Sequence, residues 1–347
     1  MKKSLLALAV LGAFAGVASA QSSVTLYGTL DLNAKYVKND GSSRRVSLSQ
    51  DGINSSQLGF KGVEDLGGGL KAGFVLLSGV NADTGTTNAK FFNRRATVSL
   101  MGNFGEVRLG RDYTPTFWNN TIFDAFGTNG LGDSSHVGQL LNAGTFVRAD
   151  NSFGYFLPSN IGGIYGQAMV AASEGASTNP GRYIGGRVGY AAGPFDVAVA
   201  IAQQRLDATT GQPNQKTYNI GGSYDLGVAK LMGYYDRDTL SYAGFDKKED
   251  RFSLSTVVPM GQGEIHAGYD RSKLKNNVAA TSTTVSQFAL GYVYNLSKRT
   301  AVYSTVSRVT NGALSQNSVT SGAAAQAAAP TLGGQSNGAE FGVRHFF

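Results

Sequence analysis

The sequence predicts an all-β protein, a 16-stranded antiparallel transmembrane β-barrel, and three observations lead to this prediction. Polar and apolar residues alternate with a period of two over many short segments. Short glycine-rich turns alternate with long polar loops along the chain. The chain ends on a strand-like segment whose last residue is Phe347. Together these features are typical of barrels in the bacterial outer membrane.

The N-terminus reads as a cleaved secretory signal peptide. Lys2 and Lys3 precede an apolar run over residues 4–17, and the small residues 18–20 (Ala-Ser-Ala) follow it. The run is too short for a membrane-spanning helix. We therefore predict a signal peptide over residues 1–20 and one transmembrane barrel domain over residues 21–347.

The composition narrows the class of protein. There is no cysteine, which excludes a disulfide scaffold and a cysteine-ligated metal site. The 47 glycines and only 7 prolines fit many short strands joined by tight turns. A mean hydropathy of −0.13 suits a membrane barrel, because alternating apolar and polar residues cancel in the average.

The net charge is modestly positive. Without Lys2 and Lys3 the basic residues fall from 30 to 28 against 23 acidic ones, which leaves a charge of +5. The excess forms no stripe of the kind that binds nucleic acid, so we expect no nucleic-acid partner. It can favour anions in a pore, or it can face the phosphates of lipopolysaccharide.

Strands and connections follow each other regularly. Clear alternation occurs over residues 24–32, 195–201, 251–258 and 287–292. We count 16 candidate strands, an even number as bacterial barrels require. Residues near strand ends that we predict to lie in the aromatic girdle at the membrane interface are Tyr27, Tyr190, Tyr224, Tyr292 and Tyr294.

Two connections are unusually long. Residues 113–148, the third loop, contain aromatics together with Asp124, Asp133 and His136, and in a barrel a loop of this length can fold into the lumen, which the family resemblance given below also implies. Residues 314–337 are alanine-rich and low in complexity, and we predict an exposed, mobile loop there.

Several motifs, in order along the chain, resemble a known family. They are residues 23–28 (SVTLYG), 58–72 (LGFKGVEDLGGGLKA), 92–95 (FNRR), 104–111 (FGEVRLGR), 151–155 (NSFGY) and 344–347 (RHFF). The chain resembles the trimeric general porins of Gram-negative bacteria, especially the β-proteobacterial branch. The resemblance implies passive transport of small hydrophilic solutes and ions through a water-filled pore in the cell outer membrane, with weak anion selectivity. It also implies a homotrimer, contact with outer-membrane lipid and lipopolysaccharide, no cofactor and no enzymatic activity.

The resemblance also implies a constriction at which basic wall residues face acidic residues of the third loop. Arg94 matches the family arginine after Phe-Asn, and Arg148 matches the basic residue at the exit of the loop. Strand parity instead favours the neighbour Arg95, because Ala96 and Val98 look lipid-facing. Both Arg94 and Arg95 therefore stay candidates.

The remaining candidates are less regular. Gln57 stands where the family often has an arginine, and Lys61 and Lys35 share lumen parity and can compensate for it. Asp124 and Asp133 are the loop acids expected opposite the basic cluster. Opposite charges across a narrow gap create a transverse field that orients polar solutes, and rings of one sign bias which ions enter.

Other readings remain to be weighed against a general porin. A barrel enzyme would need a histidine with a suitable partner, and Glu264 beside His266 is a weak candidate. A plugged structural barrel or adhesin is disfavoured by Gly185, Gly189 and Gly221, which indicate open space on the lumen face. A substrate-specific channel would show a ladder of lumen aromatics, and none is evident. The three histidines lack metal-site spacing, so we predict no metal and no catalytic residue.

Overall fold

The computed structural model describes residues 23–140, 147–173, 181–206, 214–242, 245–276, 281–320 and 328–347. The predicted signal peptide lies outside these residues. The strands are β1 (Ser23–Asn39), β2 (Arg45–Gln50), β3 (Gln57–Gly67), β4 (Leu70–Asn81), β5 (Thr86–Thr87), β6 (Arg95–Gly102), β7 (Gly105–Tyr113), β8 (Arg148–Phe156), β9 (Ile164–Ala171), β10 (Tyr183–Ala192), β11 (Phe195–Arg205), β12 (Asn214–Asp225), β13 (Lys230–Tyr242), β14 (Phe245–Met260), β15 (Gly263–Asn276), β16 (Thr281–Asn295), β17 (Thr300–Asn311) and β18 (Gln335–Phe346). Helix α1 spans Pro115–Ile122, and two short 3₁₀ helices follow at Gly130–Gly132 and Ser134–Val137.

The strands close into a barrel through the pairing of β1 with β18, whose register runs from Thr29↔Phe346 to Asn39↔Ser336. Both β2 and β3 pair with β1, so they form one wall strand that residues 51–56 interrupt. The two-residue strand β5 pairs only with the end of β4. The barrel therefore has 16 antiparallel wall strands, as the sequence predicts.

The wall strands present opposite chemistry on their two faces. In β6, Thr97 and Ser99 are buried on the lumen side, whereas Val98 and Leu100 are exposed on the outer side. This arrangement is the predicted alternation, because outward side chains meet lipid and inward ones meet the polar lumen. No helix within the described residues is long and apolar enough to cross a membrane.

The short turns meet at one end of the barrel. Gly67, Gly68 and Gly69 join β3 to β4 with φ angles of 85°, 61° and 81°. Only glycine adopts this left-handed conformation without strain, so the predicted tight turn is confirmed. In outer-membrane barrels the short turns mark the periplasmic end, and β1 starts there because Ser23 pairs with Val63 of β3.

A β-bulge interrupts the pairing of β7 with β8 between Gly110 and Asp112, just before Tyr113. The φ angle of Gly110 is 125°. A Cβ atom at this position would lie 2.0 Å from the carbonyl oxygen of Ala96 in β6. The bulge therefore requires glycine for both backbone conformation and space.

Replacing Gly110 by alanine is expected to destabilise the barrel by about 2 kcal/mol or more, because the new methyl group meets backbone that cannot yield. Urea unfolding of the protein in lipid vesicles measures the change. Gly186→Ala in β10 is the control, since its nearest neighbour beyond the adjacent residues is the Gln167 carbonyl oxygen, at an ordinary 3.4 Å. Equal stability of the two variants would contradict the account of the bulge.

The third loop lies inside the barrel, as predicted. Helix α1 contacts β9 to β12, and the two 3₁₀ helices contact β15 to β18. A Cβ atom on Gly221 would lie 2.3 Å from the ring of Phe123, and one on Gly189 would lie 2.2 Å from the ring of Tyr165. The prediction that lumen glycines leave open space is therefore wrong at these positions, because aromatic rings occupy it.

The last loop also folds inward in part. Val319 is 0% exposed and packs with Leu131 and Val137 of the third loop. The Asn317 side-chain amide donates to the backbone oxygen of His136 at 2.8 Å. The predicted exposed loop is therefore wrong for residues 317–319, because an apolar side chain there covers the third loop. Residues 321–327 lie outside the described chain.

Candidate pore constriction

Helix α1 is fixed to the wall by polar side chains. Thr114 caps it by accepting from the Phe117 amide at 3.4 Å, and Pro115 stands at its start. Asn119 donates to the Ala198 carbonyl at 3.2 Å and to the Asn219 side chain at 3.0 Å. Its neighbour Asn120 donates to Asp236 at 3.1 Å. The buried face of the helix is therefore the hydrogen-bonded one.

The opposite face of α1 carries aromatic side chains into the lumen. Phe117 stacks on Tyr113 with ring centroids 5.7 Å apart and an interplanar angle of 12°. Trp118 lies 5.3 Å from the same tyrosine. The sequence reading missed this cluster. The available signal was the spacing of residues 113, 117 and 118, which places aromatic side chains on one side of a helical turn.

A cavity of about 660 Å³ separates this aromatic surface from the wall. Arg94, Arg95 and Arg148 line it, so the structure brings together the two alternative arginines and the one at the loop exit. Arg95 has an inward position on β6. Arg94 precedes the strand, so the inward and outward alternation of β6 does not determine where its side chain points. Both candidates therefore reach the same space.

The arginines differ in how they are held. The Arg95 Nε donates to Thr97 at 3.0 Å and lies 3.6 Å from Asp112. The Arg148 guanidinium lies 4.4 Å above the Tyr113 ring and donates to its hydroxyl at 2.9 Å. The Nε atoms of Arg94 and Arg148 make no hydrogen bond within the described protein.

The two predicted lysines lie outside this cavity. Lys35 is buried beside Glu340, with 3.4 Å between the ammonium and the carboxylate. Lys61 pairs with Thr25 near the periplasmic end, and its ammonium lies 5.1 Å from the Tyr27 ring. Tyr27 itself lines the cavity, so its predicted place in the outer girdle is wrong, because its position on β1 points inward.

The two predicted acids also have different places. Asp124 is 6% exposed, and its carboxylate accepts from the Phe126 amide at 2.9 Å and the Ser134 hydroxyl at 2.8 Å. It holds the turn after α1 and does not line the cavity, contrary to expectation. Burial raises the pKa of Asp124 to about 6. Asp133 does line the cavity, on the side of the third loop.

A second cavity of about 200 Å³ lies next to the first and shares Asp133 with it. Lys35 and His136 also line it. Burial lowers the pKa of His136, against the opposing effect of Asp133. This histidine is therefore neutral at neutral pH, and the positive charge near the third loop comes from the arginines and Lys35.

The weak enzymatic candidate is already engaged in structural contacts. His266 contacts the Glu264 carboxylate at 2.9 Å and the Ala125 carbonyl of the third loop at 2.7 Å. Both ring nitrogens are therefore occupied, and neither is poised to activate a nucleophile. The pair fastens the third loop to β15.

A closed membrane barrel with a cavity beside an inward-folded loop is typical of channel-forming proteins of the outer membrane. Residues 7–314 match the model of a family described as Gram-negative porin, and the chain belongs to that family. Outer membrane porin protein 32 of Delftia acidovorans is 39% identical over 362 residues, which cover 100% of both chains.

Two solved structures agree with this assignment. The anion-selective porin from Comamonas acidovorans has 36% identity and a TM-score of 0.84, covering 94% of this chain and 100% of that one. The trimer form of OmpT from Vibrio cholerae has 16% identity and a TM-score of 0.72, covering 94% and 99%, and this likeness shows the fold alone. The protein is therefore a porin of the outer membrane.

Proposed function

We propose that this porin is a general diffusion channel with a weak preference for anions, and that Arg94, Arg95 and Arg148 set this preference. The observation that carries the proposal is the charge of the 660 Å³ cavity. Three arginines line it, whereas Asp133 is the one acidic residue among its described lining residues. The described relative from Comamonas acidovorans, which is named as anion-selective, supports the same reading.

The geometry explains why such a preference stays weak. Guanidinium groups on the wall and the Asp133 carboxylate on the third loop face one aqueous gap, so the field across it is transverse. A polar solute can align its dipole with this field and pass. Anions are stabilised beside the arginines, whereas cations can still pass beside the Asp133 carboxylate.

Conductance in a planar bilayer under a salt gradient tests the proposal. We expect large conductance steps and a zero-current potential with the sign of anion preference, because the cavity lining is net positive. The same record made in salts of larger anions reports the limiting size of the gap. Cation preference would overturn the role of the arginines, and the absence of conductance would overturn the open channel.

We propose further that three copies assemble in the membrane, each with its own pore. The resemblance to trimeric porins and the trimer form of OmpT support this state. Light scattering of the detergent-solubilised protein, corrected for detergent, is expected to give three times the mass of the mature chain. A monomer mass after gentle extraction from native membrane would contradict the proposal.

Two further expectations accompany the channel. We propose cleavage of residues 1–20 on export. We also propose that the outer wall contacts outer-membrane lipid and lipopolysaccharide, and that outward tyrosines beside the short turns lie at the periplasmic interface, where exposed aromatic side chains anchor such barrels. These tyrosines are Tyr190, Tyr224, Tyr292 and Tyr294.

A further inference from the structure

The side of α1 that faces the pore has unexpected chemistry. Thr116, Asn119 and Asn120 are buried against the wall, whereas Phe117 and Trp118 line the cavity. A helix inside a polar channel would lower its free energy by turning its amides to water and its rings to the wall. Hydrogen bonds to the wall hold the reverse orientation, so the fold keeps a partly exposed aromatic surface facing the cavity.

Cationic groups line the same cavity. Arg94 and Arg148 are among the residues that line it. Arg148 lies over the ring of Tyr113, which also stacks with Phe117. The guanidinium and the aromatic cluster therefore form one continuous surface.

We propose that this constriction preferentially binds planar aromatic carboxylates as they pass. The carboxylate accepts hydrogen bonds from the arginines, and the solute ring stacks on the Trp118 and Phe117 surface. A cavity of about 660 Å³ accommodates a single-ring solute together with water. The inference rests on the proposed anion-permeable channel and names the solute class for that same site.

A competing role for the aromatic residues is mechanical. The stack of Tyr113, Phe117 and Trp118 can simply stiffen the third loop. An apolar surface of this kind would treat a saturated ring and an aromatic ring of equal size alike. Stacking discriminates between them, because it depends on the flat face and quadrupole of the solute.

Benzoate and cyclohexanecarboxylate provide the test, since both are single-ring monocarboxylates. We measure the concentration of each that halves the chloride current through the channel at constant ionic strength. We expect benzoate to act at about fivefold lower concentration than its saturated counterpart. In Trp118→Leu and Phe117→Leu channels the ratio is expected to fall towards one. Phe195→Leu is the matched control, because Phe195 faces outward and its loss should leave the ratio unchanged.

A second readout does not depend on ion flow. Trp118 is the only tryptophan in the sequence, so intrinsic tryptophan fluorescence of the folded protein reports this site alone. Benzoate is expected to change that emission with saturation, whereas cyclohexanecarboxylate at equal concentration changes it at least about fivefold less. The Phe117→Leu protein retains the probe and is expected to bind benzoate more weakly.

The outcomes separate the inference from the proposed function. Equal half-blocking concentrations for the two carboxylates, or equal fluorescence changes, would overturn aromatic selection. The proposed anion-preferring channel would still stand after that result if the zero-current potential in a chloride gradient kept the sign of anion preference. Cation preference or absent conductance would instead overturn the channel on which the inference rests. A ratio that persists in both leucine variants would also contradict the assignment to α1.

Discussion

Replacing Arg94 and Arg148 together by glutamate is expected to reverse the sign of the zero-current potential. The change converts two of the three cationic groups that line the cavity into anions. Unit charges a few ångströms apart interact by about 1 kcal/mol even in bulk water, so the ratio of anion to cation permeability should fall by about tenfold or more. The measurement is the zero-current potential in a planar bilayer at fixed salt gradient.

Lys61→Glu supplies the matched control for this reversal. Lys61 has lumen parity on β3 but lies towards the periplasmic end, outside the cavity lining. Its charge change should shift the potential less than either single arginine variant, and the shift should shrink further at high salt. A larger effect from Lys61→Glu would show that the mouth, rather than the gap beside α1, controls selectivity.

Replacing Arg251 by methionine is expected to give the largest loss of stability. Arg251 on β14 is 1% exposed, and its guanidinium lies 2.8 Å from Asp236 and 3.0 Å from Asp238. Removing one partner from a buried ionic cluster costs about 3–5 kcal/mol, because the remaining charges stay buried without compensation. Asp236 also accepts a hydrogen bond from the Asn120 side chain of α1. We therefore expect the third loop to be held less firmly when the Arg251 cluster is disrupted.

Urea unfolding in lipid vesicles measures that loss, and the barrel contains its own control. Arg237 and Asp250 form an ion pair at 2.6 Å in the adjacent register row of β13 and β14. This pair lies on the outer face and is partly exposed, so Arg237→Met should cost less than Arg251→Met. Equal losses in the two variants would mean that burial of the Arg251 cluster has little energetic consequence.

The barrel was predictable because its physics is local and periodic. A lipid-facing wall requires apolar side chains at every second position, and β6 shows this directly in Val98 and Leu100. The same period placed Arg95 in the lumen. Arg94 could not be placed by parity, since it lies outside the strand, and only the fold shows that both side chains reach one cavity.

The contents of the lumen were harder to predict because irregular segments decide them. Nothing in the sequence around Asp124 shows that its carboxylate accepts hydrogen bonds from the amide of Phe126 and the hydroxyl of Ser134. A resemblance to a family predicts which residue types occur in a loop, but it does not predict the local backbone turn that decides where their side chains point. The orientation of α1, with its amides on the wall and its rings towards the cavity, could not be predicted either. The wall and the water of the lumen are both polar, so the pattern of polar and apolar residues does not show which side faces which.

The seam between β1 and β18 has a consequence for biogenesis. The backbone amide and carbonyl of Phe347 exchange hydrogen bonds with those of Gly28, each at 3.1 Å, so the last residue of the chain pairs with nearly the first residues of the barrel. A chain that stops one strand early would leave two unpaired edges in hydrocarbon, where unmet backbone groups are costly. We therefore expect a barrel that lacks its last strand to insert into the bilayer poorly, because the pairing that closes the wall cannot form.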